Sequence, residues 1–407
     1  MSLNLLKARG ASLERQRFTW RELAPPTISK IDCDAWTRVR IILMNGLESE
    51  ANRFSHAVAR LYGGLQQHLA VVRRIEQHQQ TLINWLLPAD QSPMETTIGY
   101  EQMEIEVTAA LALEEPNAYI AAMYRFGLLE DFDHLYRFAA LMDRVQGKDA
   151  NSIVQGYTDI LPGRPTAVQH RYPLDDLRNP YHRRRAELLT KLHAMTLVAA
   201  EHQTRDYYMN IGSKLADPTA RQLYAEIASV EEQHVTQYES LVDPRESILE
   251  KWLLHEACEA YNYWSCLESE TDPRVRAIWE RMLDYELGHV QLVAHLFEQY
   301  ERRDAAEVLD TELRQPIAYE PHRDFIREVL RREVGLGARG TEMAPRRDEP
   351  ERTRQYRARL NAKEQPSNIA AAGWRFSPGG ELVAEIAAQV STTRTGNDPG
   401  RSGKAQT

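Results

Sequence analysis

Cysteine is scarce in this sequence, with only Cys33, Cys258 and Cys266 among 407 residues. The three thiols form no CxxC pair, so the sequence supports neither a disulfide framework nor a cysteine-based zinc site. Such sparse cysteine usage is typical of a reducing compartment. Residues 1–10 contain no apolar stretch of the kind that a secretory signal needs. We therefore expect a cytoplasmic protein.

Long apolar runs, glycine and basic charge are also in short supply. No apolar segment approaches the roughly 20 residues that a membrane-spanning helix needs, so we expect no membrane partner. Glycine contributes only 20 residues, and alternating apolar and polar runs are rare, which disfavours β architecture. The net charge of -9 gives no basic excess to neutralise phosphates, so we expect no nucleic-acid partner.

Helical patterns separated by proline fill most of the chain, and they predict an all-α protein. Asp217-Pro218, Asp243-Pro244 and Asp272-Pro273 each place an N-cap acid before a proline suited to the first helical position. The predicted segments are an irregular lead-in (1–33), a first helical bundle (34–146), a connection (147–182), a second helical bundle (183–302), a helical extension (303–335) and a mostly disordered tail (336–407).

Three pairs in the sequence have the form acid-x-x-His. They are Asp131/His134, Glu231/His234 and Glu286/His289. On a helix, this spacing places a carboxylate and an imidazole one turn apart on the same face. A glutamate also stands 30 residues before the acid of each pair, namely Glu101, Glu201 and Glu256. The shared offset indicates a recurring structural unit rather than scattered residues.

Two shifts relate these residues to one another. A shift of 55 residues maps Glu201, Glu231, His234 and Tyr208 onto Glu256, Glu286, His289 and Tyr263. A shift of 155 residues maps Glu76, Glu101, Asp131 and His134 onto Glu231, Glu256, Glu286 and His289. Under this second shift, Gly46 falls at the position of Glu201 and Gln79 at the position of His234. We expect Glu48 or Glu50 to replace the first ligand and His78 the second, in a degraded first copy.

Such a residue set suits a pair of metal ions. Iron and manganese favour carboxylate ligands together with imidazole. Two helices that each give one Glu, and two that each give Glu-x-x-His, supply the donors of di-iron and di-manganese bundles. Residues 183–302 resemble the ferritin-like superfamily in its rubrerythrin-type branch, and residues 34–146 resemble it in part. The resemblance is carried by Glu201, Glu231-Glu-Gln-His234, Glu256 and Glu286-Leu-Gly-His289.

The resemblance implies two ferritin-like four-helix bundles in tandem and a centre of two iron ions, with manganese as the alternative. It implies that Glu201 and Glu256 are terminal ligands, that Glu231 and Glu286 bridge the ions, and that His234 and His289 ligate them. A second metal set in the first half would comprise Glu50, Glu76, Glu101, Asp131 and His134. Tyr208 and Tyr263, seven residues past Glu201 and Glu256, are candidate hydrogen-bond partners of the ligands or redox relays, and the alternative is that they pack in the core with satisfied hydroxyls.

The implied activity is that of a di-iron oxidoreductase acting on O2 or H2O2, as a peroxidase, a ferroxidase or an oxygenase of a small organic substrate. Rubrerythrins usually carry a rubredoxin-like site of four cysteines, which this chain lacks, so electrons would come from an external donor. A homodimer is compatible with this prediction. Two alternatives stay open, namely an iron-storage protein without turnover and a scaffold that has lost its metals.

The link around Asp243-Pro244 leaves the grouping of the ligands open. Ferritin-like bundles join their two helix pairs by a long crossover, whereas a short link favours antiparallel neighbours. The only long connection predicted between helices spans residues 145–180. One site could therefore combine Glu101, Asp131 and His134 with Glu201, Glu231 and His234.

Overall fold

A computed structural model describes residues 2–309 and 312–378 of the chain, and within these ranges it is mostly helical. The helices are α1 (Trp20–Leu23), α2 (Ala35–Leu61), α3 (Gln66–Asn84), α4 (Pro93–Glu114), α5 (Ala118–Gln146), α6 (Asn151–Val154), α7 (Leu188–Gly212), α8 (Pro218–Glu239), α9 (Ile248–Ser269), α10 (Pro273–Glu301), α11 (Ala306–Leu309), α12 (Arg323–Glu333), α13 (Glu351–Leu360) and α14 (Pro366–Ala370). Short 3-10 helices occupy Leu13–Arg15, Gly63–Leu65, Thr166–Val168, Pro173–Asp175 and Arg346–Asp348. The strands β1 (Leu336–Arg339) and β2 (Glu342–Pro345) pair antiparallel.

Side-chain caps fix where the long helices begin. The carboxylates of Asp217 and Asp272 accept hydrogen bonds from backbone N–H groups in the first turns of α8 and α10, and a proline occupies the first helical position of each. The prediction that Asp243-Pro244 starts a helix is wrong. Helix α9 begins after Ser247, whose side chain forms a capping box with Glu250. The carboxylate of Asp243 instead accepts hydrogen bonds from the backbone N–H groups of Arg183 and Arg245, which both lie outside the helices.

The eight long helices form four hairpins, α2–α3, α4–α5, α7–α8 and α9–α10, and α2 and α7 pack against each other between them. Gly46 lies in the contact between these two helices. A Cβ atom built on Gly46 would lie 3.0 Å from the backbone oxygen of Ala199 and 2.5 Å from the side-chain nitrogen of Gln203. The position that lacks the expected glutamate is therefore one where a larger side chain would push α2 away from α7.

The described segments before α2 and after α10 pack against the long helices. The N-terminal segment lies along α10, and Leu3 pairs with Leu313 in an isolated bridge. After α12, the β1–β2 hairpin, α13 and α14 follow, and α14 packs against α8 and α5. The predicted disordered tail is thus wrong for residues 336–378, because Ala370 and Ala371 bury apolar surface against the core. The remainder of that predicted tail, 379–407, lies outside the described residues.

None of the helices in the described part of the chain combines the length and the apolar character that crossing a bilayer requires.

Candidate metal centres

Two clusters of buried acids and imidazoles lie between the long helices in the described part of the chain. Cluster 1 comprises Glu101 and Glu104 of α4, Asp131 and His134 of α5, Glu201 of α7, and Glu231 and His234 of α8. Cluster 2 comprises Glu48 of α2, Glu76 and Gln79 of α3, Glu256 and Glu259 of α9, and Glu286 and His289 of α10. Every one of these side chains is at most 2% exposed, so ten carboxylic acids are enclosed in the core.

In cluster 1, the carboxylate of Glu231 lies between two imidazoles. Its Oε1 is 3.0 Å from Nδ1 of His134, and its Oε2 is 3.1 Å from Nδ1 of His234. The same nitrogen of His234 is 3.2 Å from Oδ1 of Asp131 and 3.4 Å from Oε1 of Glu201. The two ring centres are 6.1 Å apart. Donor atoms from three helices therefore converge on one small volume.

The potential ligand atoms of cluster 1 form two overlapping groups. One group is Asp131, Glu201, Glu231 and His234, and the other is Glu101, His134 and Glu231. Within each group, the donor atoms lie within 4.8 Å of one another. Each group contains an imidazole, and Glu231 is common to both. A carboxylate shared between two such groups is placed to bridge a pair of cations.

The outer nitrogens of the imidazoles in cluster 1 are already engaged. Nε2 of His134 lies 2.7 Å from Oε1 of Gln169, and Nε2 of His234 lies 2.8 Å from Oε2 of Glu130. Glu130 in turn accepts hydrogen bonds from Arg171 at 2.7 Å and from Arg164 at 3.2 Å. Partners of this kind orient a metal-binding histidine and leave Nδ1 to face the centre.

Hydroxyl groups hold two of the carboxylates from α4. The Tyr208 hydroxyl donates to Oε1 of Glu101, and the Thr204 hydroxyl donates to Oε1 of Glu104 at 2.7 Å. The matching tyrosine on α9, Tyr263, donates to Oε1 of Glu48 in cluster 2. Both tyrosines thus contact the cluster carboxylates, in the arrangement that the 55-residue shift predicts.

Cluster 2 has the same plan with one imidazole fewer. Nδ1 of His289 lies 3.1 Å from Oε2 of Glu286 and 3.4 Å from Oε2 of Glu256, and its Nε2 lies 2.7 Å from Oε1 of Gln16. Gln79 stands 55 residues before His134, at the equivalent position. Its amide nitrogen donates to Oε1 of Glu286 at 2.6 Å.

Burial dominates the electrostatics of both clusters. It raises the pKa of Glu104 and Glu201 well above the ordinary carboxyl value of 4.5, and neighbouring carboxylates add to this effect. Burial also raises the pKa of Glu231, but the adjacent imidazoles outweigh it and lower that pKa to about 2. For His134, burial lowers the pKa, yet contact with Glu231 and its neighbours brings it to about 10. Without cations, protons must neutralise this pocket.

Several buried atoms in cluster 1 lack any hydrogen-bond partner. They are Oε2 of Glu101, Oε2 of Glu104, Oδ2 of Asp131 and Oε2 of Glu201, whereas Oδ1 of Asp131, Oε1 of Glu201 and Oε1 of Glu231 have only the imidazole nitrogens described above beside them. A buried polar atom without a partner costs roughly 1–3 kcal/mol, and more when it is charged. Coordination of cations would satisfy all of these atoms at once. The donor set, carboxylate oxygen with imidazole nitrogen, fits iron or manganese.

The predicted residues are buried donors, but they do not group as one second-half site. Glu201, Glu231 and His234 lie in cluster 1, whereas Glu256, Glu286 and His289 lie in cluster 2. The predicted first-half set is also divided, since Glu101, Asp131 and His134 belong to cluster 1 and Glu76 to cluster 2. The alternative grouping, with Glu101, Asp131 and His134 beside Glu201, Glu231 and His234, is the one that the structure shows.

Glu50 was predicted as a ligand and is not near either cluster. Its carboxylate lies 2.7 Å from Nδ1 of His202 in a partly exposed pair. Two residues along a helix correspond to about 200° of rotation, so Glu48 faces the interior when Glu50 does not. His78 is likewise turned away, with its ring against Phe18, and Gln79 faces the cluster instead.

Sequence reasoning missed Glu104, Glu259, Glu130, Gln169 and Gln16. For the first two a signal existed, because the shift of 155 residues maps Glu104 onto Glu259. Glu130 adjoins Asp131, but nothing local distinguishes it from a surface acid. Gln169 and Gln16 come from irregular segments that reach the clusters only through tertiary packing.

No protein-family model, no curated protein and no solved structure matches this chain. What the site can do must therefore be inferred from its own donor atoms. In cluster 1, these are five carboxylates and two imidazoles that four helices hold in place. Such a set can neutralise and clamp two divalent cations.

Proposed function

We propose that cluster 1 binds two adjacent cations of iron, or of manganese, and that the protein is a ferritin-like oxidoreductase that reacts with O2 or H2O2. The observation that carries this proposal is the position of Glu231, which two imidazole-containing ligand groups share. A single cation would leave one of these groups unused. Two cations use both groups and place Glu231 as the bridging carboxylate.

The balance of charge supports a pair of ions. Cluster 1 contains five carboxylic acids, and the two imidazoles beside them are neutral when they act as ligands. Two divalent cations bring four positive charges and leave the site close to neutral. One cation would leave most of the negative charge in a water-poor core, where unpaired charge costs several kcal/mol.

The order of donors along the helices supports the ferritin-like part of the proposal. Helix α7 supplies Glu201, helix α4 supplies Glu101 and a second glutamate, Glu104, and α5 and α8 each supply an acid-x-x-His pair. Apart from the second glutamate of α4, this is the ligand plan of di-iron carboxylate bundles. In the proposed arrangement, α4, α5, α7 and α8 form one four-helix bundle around cluster 1.

The surrounding residues have definable roles in this proposal. Glu130 and Gln169 fix the two imidazole rings so that Nδ1 of each faces the cations. Arg164 and Arg171 keep Glu130 ionised, since their charges lower its pKa well below the ordinary value despite burial. Tyr208 holds Glu101 by a hydrogen bond and lies close enough to supply a proton to that carboxylate.

A bound iron pair would supply electrons by cycling between the ferrous and ferric states. The chain would contribute a site that is closed to bulk solvent, because no member of cluster 1 is more than 1% exposed. Only small reactants fit such a site without movement of side chains, which favours O2 or H2O2 over a bulky organic substrate. Peroxide would be reduced to water with electrons from an external donor.

The test is to measure metal content and peroxide turnover of the protein and of Glu231→Gln. Wild-type protein loaded anaerobically with Fe2+ should hold about two ions in cluster 1 and consume peroxide in the presence of a reductant. The substitution keeps the side-chain shape but removes the bridging charge, so both ions and turnover should be lost.

Glu298→Gln, an exposed change on α10, serves as the matched control and should behave as wild type. Tight iron binding without peroxide or oxygen turnover would replace the enzyme with a storage protein. Absence of iron and manganese from the wild type after loading would leave only the metal-free scaffold.

A further inference from the structure

Cluster 2 repeats the construction of cluster 1 with different donors. Its potential ligand atoms again form two overlapping groups, one with Glu76, Glu256 and His289 and the other with Glu256, Glu259 and Glu286. The donor atoms of each group lie within 4.8 Å of one another, and Glu256 is common to both. Glu256 is thus placed in cluster 2 as Glu231 is placed in cluster 1.

Unpaired buried atoms independently indicate a ligand in cluster 2. Both oxygens of Glu259, Oε2 of Glu48, Oε2 of Glu76 and Oε1 of Gln79 have no hydrogen-bond partner. These four side chains are at most 2% exposed, so bulk solvent does not reach the unpaired atoms. Five carboxylic acids with this many unsatisfied oxygens call for positive charge from outside the chain.

The two positions of cluster 2 differ in chemistry. The first group includes the imidazole of His289, whereas the second group contains only carboxylates. Gln79 occupies the place that His134 occupies in cluster 1, and its amide lies against Glu286 and Glu48. Rotation of this amide about its last bond presents an oxygen in place of the nitrogen, so the second position is surrounded by oxygen donors alone.

We propose that cluster 2 is a second dinuclear centre with unequal positions, in which His289 holds Fe2+ and the Gln79 side holds a harder cation such as Mn2+. Carboxylate and amide oxygens suit manganese and magnesium, while an imidazole raises the affinity for iron. Glu256 bridges the two ions. This centre forms from its own helices and does not depend on the function proposed for cluster 1.

The fold holds the His289 position in a fixed geometry. Gln16, which accepts from Nε2 of His289, is itself anchored by hydrogen bonds from its amide nitrogen to the backbone oxygens of Ala11 and Tyr285, at 2.8 and 3.1 Å. Trp252 donates to the outer oxygen of Glu256, and Tyr263 donates to Glu48. The donors are thus oriented before any cation binds, as in preorganised metal sites.

The first experiment uses crystals of the whole protein grown with Mn2+. Anomalous scattering from manganese should appear at two positions in cluster 2, on either side of Glu256. The same peaks should persist in Glu231→Gln, whose substitution disturbs cluster 1 alone, so failure of one proposal can be told from failure of the other. Manganese peaks in cluster 1 with none in cluster 2 would overturn the inference.

The second experiment loads the protein anaerobically with equal amounts of Fe2+ and Mn2+ and measures the iron-to-manganese ratio at each position. The Gln79 side should be enriched in manganese relative to the His289 side. Gln79→His should raise the iron-to-manganese ratio on that side by about tenfold, because it supplies the missing imidazole. His134→Gln should produce the opposite change in cluster 1.

Equal metal ratios at the two positions of wild-type cluster 2 would refute the proposed asymmetry. An unchanged ratio in a folded Gln79→His protein would do the same. If that variant fails to fold, the wild-type comparison between the two positions still decides the question.

Discussion

In the metal-free protein, the free energy of unfolding is expected to fall as the pH rises from about 6.5 to about 8. Burial raises the pKa of Glu104, Glu201 and Glu259 well above 4.5, so the folded chain releases the protons of these acids at a higher pH than the unfolded chain does. His134, with its pKa raised to about 10, acts in the same direction. Stability from such groups is complete at low pH and is lost as the pH rises through the folded pKa.

Groups whose pKa is lowered on folding have the opposite effect on the pH dependence of stability, but they do not cancel this slope. The lowered pKa of Glu231, about 2, contributes stability that is present above 4.5 and constant across the chosen range. Burial lowers the pKa of His255 to about 4, so this residue makes the folded chain less stable as the pH falls below its ordinary pKa of 6.5. As the pH rises, that loss is nearly fully recovered by about pH 6.5, where the chosen range begins. The slope is therefore set by the groups whose pKa is raised on folding, because the folded chain binds their protons more tightly than the unfolded chain does.

The magnitude follows from the number of protons retained. Each extra proton bound by the folded chain lowers the free energy of unfolding by about 1.4 kcal/mol per pH unit. One such proton in each cluster gives about 2.7 kcal/mol per pH unit, or roughly 4 kcal/mol over the whole range. That is a large part of the roughly 5–15 kcal/mol that stabilises an ordinary domain.

Urea unfolding at several pH values, with a chelator or with Mn2+, measures this effect. Mn2+ should reverse the slope, because ligand deprotonation makes binding tighter as the pH rises. At a free concentration of 100 times Kd, each site adds about 2.7 kcal/mol. Glu201→Gln should flatten the slope of the chelated protein, whereas Glu298→Gln should not. A chelated wild type whose stability stays level or increases with pH would show that the clusters do not store protons.

Two further substitutions test the supports of the clusters. A Cβ on Gly288 would lie 2.0 Å from the backbone oxygen of Ala11, so Gly288→Ala should displace the N-terminal segment and lower the free energy of unfolding by roughly 1–3 kcal/mol. Limited proteolysis should detect the displaced segment, and metal analysis should show weaker binding in cluster 2 only. Glu130→Ala leaves Arg164 and Arg171 buried without their shared carboxylate and should cost roughly 3–5 kcal/mol in urea unfolding. Glu333→Ala, which breaks the more exposed pair with Arg125, is the control and should cost under about 1 kcal/mol.

The helices were predictable because the signals for them are local. Apolar spacing and prolines at helix starts act within a few residues, and the structure confirms Asp217 and Asp272 as N-caps. The same local signal failed at Asp243, where the acid is engaged by loop backbone and the helix begins after Ser247. The order in residues 336–378 was also missed, since their composition is polar and their contacts are distant in sequence.

The candidate ligands were predictable, but their partners were not. The repeats identify which positions on each hairpin point inward, since they relate equivalent residues of all four hairpins. They carry no information on which hairpin packs against which. Glu201 could therefore be expected beside Glu256 or beside Glu101, and only tertiary packing places it with Asp131 and His234.

The pairing of hairpins changes the meaning of the imperfect first half. Each cluster takes one hairpin from residues 35–146 and one from residues 188–301. Cluster 1 lies between the two inner hairpins of the sequence, α4–α5 and α7–α8, and cluster 2 lies between the two outer hairpins, α2–α3 and α9–α10. Gly46 leaves room for the contact between α2 and α7, because a Cβ atom at this position would collide with Gln203. Glu48, two residues further along α2, supplies the carboxylate of that helix to cluster 2. The first half is thus a complementary partner rather than a degraded copy.

Neither half of the chain contains all the donor residues of either cluster. Residues 183–302 contain Glu231 and Glu256, the shared carboxylates of the two clusters, yet they lack His134 and Glu76, which complete one ligand group in each. Cations that bind in these groups would link the two halves of the chain. The stability contributed by metal would then belong to the whole fold, because separating the hairpins removes ligands from both clusters.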